Sequence, residues 1–107
     1  MSDLATEEDE FIDKIAKKTY EKILLESTEN YLVLDLKLFN EEELLIRKKV
    51  VLLAILKVLG NIQGIEKIHI EDIIKLCKNN IGNKFLTHNK NIKVLVKKQK
   101  IFFISLL

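Results

Sequence analysis

The hydrophobic period of this chain changes after Gly82, and that change limits what it can fold into. As far as Lys78 most apolar residues recur every three or four positions, the spacing of helices. Beyond Gly82 apolar and polar residues alternate through KFLT, NIKVLVK and KIFFISL, the spacing of short strands, with turns at HNKN and around KKQK. A chain ordered in this way, with no internal repeat and no flexible linker, predicts an α+β domain. It would be a cluster of three helices with a small antiparallel sheet or hairpin at the C-terminal end.

The helices are expected at about 7–27, 41–59 and 68–79. In the first, Ile12, Ile15, Ala16, Thr19, Ile23 and Leu24 form one apolar stripe, and Thr6 is placed to cap it with Asp9 three residues on. Next, YLVLDLKLF alternates with period two and predicts a strand near 31–36 that can join the strands near 84–87, 91–97 and 100–105. Asn40 with Glu43 predicts the start of the second helix, and Gly60 its end. From Val50 to Leu59 that helix is apolar on nearly every face, so it belongs at the centre of the domain. In the third helix Ile70, Ile73, Ile74 and Cys77 share a face.

Length and composition narrow the class. A chain of 107 residues is one domain or part of a larger protein, and 48% hydrophobic residues can supply a core. The longest apolar run, Val50 to Leu56, is too short to span a bilayer, and the acidic N-terminus is not a signal peptide. A single cysteine, Cys77, rules out an internal disulfide and suits a reducing cytoplasm. Its place on an apolar helical face makes it a small core residue.

The net charge of +2 conceals a division. Residues 1 to 36 hold ten acids against four lysines, and the remainder holds thirteen lysines and Arg47 against six acids. From Ile73 onward there is no Asp or Glu, while eight lysines interleave with Ile, Leu, Val and Phe. Codon bias accounts for lysine in place of arginine, but not for the loss of acids. A one-signed field on a structured face is the electrostatic footprint of a nucleic-acid partner. The competing reading is a solvated lysine face with no partner. If Ile92, Val94 and Val96 face the core, Lys93 and Lys97 point together to solvent, with Lys98 and Lys100 at the following turn. Ammonium groups there would bind phosphates as point charges, without reading sequence.

The catalytic inventory is nearly empty. His69 and His88 stand apart with no Cys or acid at ligand spacing, and His69, at the start of a helix, suits a local capping or surface role. Gly60, Gly64 and Gly82 make no phosphate loop. Glu41, Glu42 and Glu43 suit a helix N-terminus better than an acid–base pair. No catalytic residue, metal ligand or cofactor site is assigned.

The ordered set of segments resembles the substrate-binding domain of bacterial tRNA(Ile)-lysidine synthetases. The segments are LDL at 34–36, IRKK at 46–49, HIEDIIKL at 69–76, GNKFLT at 82–87 and NIKVLVKKQK at 91–100. The resemblance implies an acidic connecting helix at 1–28 and a tRNA-binding domain at 29–107. It also implies a parent enzyme, working in the cytoplasm, that uses ATP to attach lysine to the wobble cytidine of an isoleucine tRNA. The Ser-Gly-Gly-x-Asp-Ser loop of the family's N-terminal catalytic domain is absent from this sequence. ATP and lysine are therefore expected of that missing domain, and this chain would hold tRNA without catalysing. By the same resemblance Arg47 and Lys48 match the basic helix start, Lys84 the Gly-Lys turn, and Lys93, Lys97 and Lys98 the basic hairpin strand. Asn83 replaces the turn's usual glycine. His88, Asn89, Lys90 and Asn91 stand where the family often has Pro-Gly-Gly.

Two other classes remain open. Three helices followed by a hairpin is also the order of a winged-helix DNA-binding domain, with Ile68 to Lys78 in the major groove. Lys67, Lys75 and Lys78 beside Glu71 and Asp72 are poor base-reading chemistry for that role. A protein-interaction module that docks through the acidic first helix is the third.

Overall fold

The computed structural model describes residues 3–60, 66–79, 85–89 and 92–106. In chain order they form α1 (Asp3–Ile23), β1 (Leu24–Ser27), β2 (Tyr31–Asp35), α2 (Leu36–Glu41), α3 (Leu44–Leu59), α4 (Lys67–Asn79), β3 (Phe85–Asn89), β4 (Ile92–Lys97) and β5 (Lys100–Ser105). The fold is α+β, as the periodicity predicts. The strands form one antiparallel sheet in the order β1-β2-β5-β4-β3.

α3 is the hub. Ile46, Val50, Val51, Ala54, Ile55 and Val58 are buried, and the helix packs against α1, α4 and the sheet. Its end is set by Gly60, whose φ of 83° lies in the left-handed region and whose N–H donates to the Leu56 carbonyl. On α1, Ala16, Thr19 and Ile23 are buried at helical spacing. Ala16 and Ile23 belong to the same core as Leu32, Leu34, Phe39, Ile73, Val94 and Phe103.

Three local expectations are corrected. First, α1 begins at Asp3, which leaves Thr6 inside the helix, and it stops at Ile23 and not near residue 27. Leu24 leaves the helix to pair with Leu34, so β1 becomes an edge strand. Thr28 closes the turn between β1 and β2: its hydroxyl accepts from the N–H groups of Asn30 and Tyr31, and its own N–H donates to the Tyr31 carbonyl. Second, the alternation in YLVLDLKLF yields to a fourth, short helix at Leu36. The Asp35 carboxylate accepts from the Leu38 N–H at 3.0 Å and so caps α2, which buries Leu36 and Phe39 three residues apart. Third, Glu43 and not Asn40 precedes α3, without a side-chain cap, while the Asn40 amide donates to the Cys77 carbonyl and ties α2 to the end of α4.

The helices cover one face of the sheet. Leu32 and Leu34 of β2, Ile101 and Phe103 of β5, and Ile92, Val94 and Val96 of β4 are buried in the helix-facing core. The alternate residues Tyr31, Val33, Phe102, Ile104, Lys93, Leu95 and Lys97 occupy the opposite face. At its end β4 turns into β5 through Lys98 and Gln99, whose φ values are 51° and 64°. Two successive left-handed residues suit the twist of a two-residue hairpin, normally at Asn-Gly. The Gln99 carbonyl accepts from the Leu36 N–H at 3.0 Å, which fastens this turn to the start of α2.

Candidate nucleic-acid interface

The basic residues fall into two groups. The first lies between α3 and α4. Leu44, Arg47 and Lys48 are spaced by three and four residues, and so are Glu71, Ile74, Lys75 and Lys78, so each helix turns one stripe toward the other. Together they line a groove of about 260 Å³. Four cations face a single acid there, Glu71. Arg47 and Lys48 are half-buried, and Lys75 and Lys78 are exposed.

Within the groove the Arg47 Nε is buried and has no hydrogen-bond partner among the described residues. With no accessible surface, that N–H is a buried unpaired donor and not a contact that an anion in the groove can reach. Next to it, burial pushes the Cys77 thiol up to about 12, and the charge of Arg47 opposes the shift only in part. Cys77 is therefore a protonated core residue at neutral pH and not a nucleophile. Lys49, which follows Lys48 in sequence, serves another purpose. It turns toward α1 and pairs with Asp13 at 3.3 Å.

The second group belongs to the β4–β5 hairpin. Lys93 is half-buried, and Lys97, Lys98 and Lys100 are exposed. Lys97 and Lys100 are direct cross-strand partners. Asp35 of β2 stands opposite Lys100 on its other side, so its carboxylate offsets part of the repulsion between the two lysines. Of the six residues singled out from sequence, then, Arg47 and Lys48 share the helical groove, and Lys93, Lys97 and Lys98 share the hairpin. Lys84 and the Gly-Lys turn lie outside the described residues, as do Lys90 and Asn91 of the HNKN turn. The Gln99–Leu36 and Asn40–Cys77 hydrogen bonds tie the hairpin turn and the end of α4 to the same short helix, α2. Lys93 and Lys97 nevertheless project from the sheet face away from the helices.

Sequence reasoning did not join Lys75 and Lys78 to Arg47 and Lys48. Their i, i+3 spacing on the polar side of α4 was visible, but the pairing of α4 with α3 was not. His69 has a local part: its Nδ1 accepts from the Glu66 N–H at 3.1 Å at the start of α4. Among the described residues no group of three His, Cys, Asp or Glu side chains could hold a metal ion, and no helix is long and apolar enough to cross a membrane.

The fold and its basic groups define a small α+β module with a cationic groove on one side and a lysine-bearing sheet face on the other. No protein-family model matches the chain, and no curated protein is significantly similar to it.

Proposed function

We propose that this chain is a non-catalytic tRNA-binding unit of an ATP-dependent tRNA(Ile)-lysidine synthetase. The ATP and lysine chemistry would belong to a separate catalytic domain of the same protein, in the cytoplasm. The observation that carries the reading is the α3–α4 groove, where Arg47 and Lys48, the residues matching the family's basic helix start, are joined by Lys75 and Lys78. Arg47 lines that groove, and a guanidinium there is suited to pair with phosphate oxygens. Lys93, Lys97 and Lys98 extend the positive surface. Contacts of this kind position a nucleic acid on its enzyme and carry little sequence information.

The test is tRNA affinity measured against salt concentration for the chain and two variants. Replacing Arg47, Lys48, Lys75 and Lys78 together by Gln should lower the salt slope by about three. Reversing Lys93, Lys97 and Lys98 to Glu should lower it by roughly two to three. Both should weaken all tRNA species alike, whereas Lys49→Gln, on the α1 side, should change little. Unchanged affinity and slope in both multiple variants would sink the reading. Tighter binding to duplex DNA of equal length than to tRNA would favour a DNA-binding module instead.

A further inference from the structure

The sheet face opposite the helices lies outside the helix-facing core, although Val33 at its middle is buried, and it has an order of its own. Phe102 of β5 stands at its centre, between Val33 of β2 and Leu95 of β4 in the cross-strand register. Lys93 and Lys97 are its diagonal neighbours on β4, and Tyr31 and Asp35 its diagonal neighbours on β2. Diagonal neighbours lie about 7–8 Å apart, within the reach of a lysine side chain. Tyr31, Phe102, Ile104 and Leu95 are half-buried and stand outside the helix-facing core. The face therefore runs from aromatic and aliphatic at its middle to cationic along β4 and the turn that follows.

The face also carries two carboxylates, both of which accept hydrogen bonds and keep their charge. Glu26 accepts the Tyr31 hydroxyl at 2.7 Å, which fixes that ring and pushes the phenol pKa up, and the Asp35 carboxylate caps α2. Lys97, Lys98 and Lys100 are exposed around the hairpin turn. A partner that fits must offer flat apolar surface over Phe102 and Tyr31 and negative charge along β4. Unpaired nucleotides have both, because each base presents a π-face and each linkage a phosphate.

We propose that this sheet face is a stacking platform for single-stranded RNA. Bases would lie on Phe102 and Tyr31, and phosphates would run beside Lys97, Lys98 and Lys100. The inference rests on the tRNA-binding reading and adds to it the part of the RNA that this face takes: unpaired bases and not helical backbone.

The test compares binding of the whole chain to a short oligouridylate, to a backbone of the same length with abasic sites, and to a duplex RNA. The oligouridylate should bind at least about tenfold more tightly than the abasic strand. Phe102→Leu should weaken the oligouridylate by roughly five- to a hundredfold with no change in salt slope, leave duplex binding unaltered, and be rescued by Phe102→Tyr. Equal binding of the uridylate and abasic strands overturns the platform without any protein variant. Sedimentation showing a dimer that Phe102→Lys dissolves would overturn it too, because the face would then be occupied by a second copy of the chain. If both strands bind alike yet the groove variants still lose tRNA affinity, the platform fails and the tRNA-binding reading survives. If the chain binds no RNA at all, both fail.

Discussion

Gln99 and Gly60 both sit in the left-handed region of backbone space, with φ of 64° and 83°. They make opposite predictions. A side chain at such a φ brings its Cβ close to the carbonyl, which glycine avoids. Gln99→Gly should therefore stabilise the chain by about 1 kcal/mol, read as a higher urea midpoint with no change in m. Gly60→Ala should destabilise it by a similar amount, about 1 kcal/mol. Because nothing lies within 4 Å of a Cβ built at Gly60, that cost would be conformational and not steric. A neutral Gly60→Ala would mean that α3 does not end in this way. Cys77 adds a pH dependence. Its folded pKa of about 12 lies above the ordinary thiol value of 9.0, so between those values the native thiol holds a proton that the unfolded chain has lost. Stability should then fall as pH rises from about 9 toward 12, and Cys77→Ala should flatten that part of the profile. An identical slope in Cys77→Ala would place the titration elsewhere.

Among the elements, α2 depends on one carboxylate. Asp35→Ala should cost about 1 kcal/mol through loss of the cap, and Asp35→Asn, whose amide oxygen can accept the same bond, should restore most of it in chemical denaturation. If Asn fails to rescue, the charge of Asp35 opposite Lys100 matters more than the cap. The same residue shows where sequence was legible and where it was not. Long periodic runs announced α3, α4, β4 and β5, because their faces are set by which residues must leave water. Boundaries set by tertiary pairing were silent. Leu24 fits the apolar stripe of α1 as well as the inner face of β1, and no Gly or Pro separates the two. Only its pairing with Leu34 decides. Leu36 and Leu38 continue an alternation that the Asp35 cap then breaks, although the cap itself, an Asp three residues before an N–H it can reach, was readable. In the candidate site Arg47 and Lys48 were legible as a basic helix start. Their union with Lys75 and Lys78 depends on how α4 packs on α3, and no periodicity encodes that.

For the whole molecule, the question is whether the acidic first helix is an appendage or a wall of the core. Ala16 and Ile23 are fully buried, and Thr19 is nearly so. They pack on α3, the helix that also supports α4 and the sheet. Removing residues 1–23 would uncover the α1-facing side of α3, where Leu52 and Leu53 are now only half-exposed. It would also strand Lys49 without Asp13. The ion pair is partly exposed and contributes little. The lost apolar burial outweighs it: a fully buried side chain such as Ile23 is worth roughly 1.5–3 kcal/mol, and Ile12, Ile15 and Tyr20 of α1 also pack against the core. Several such losses together rival the total stability of a small domain. The intact chain should therefore melt in a single transition by circular dichroism and by calorimetry. The chain lacking residues 1–23 should lose cooperative melting and bind a hydrophobic dye at room temperature. A truncated chain that still melts sharply, with its midpoint within a few degrees of the parent, would show α1 to be a detachable connector lying on a core that is complete without it.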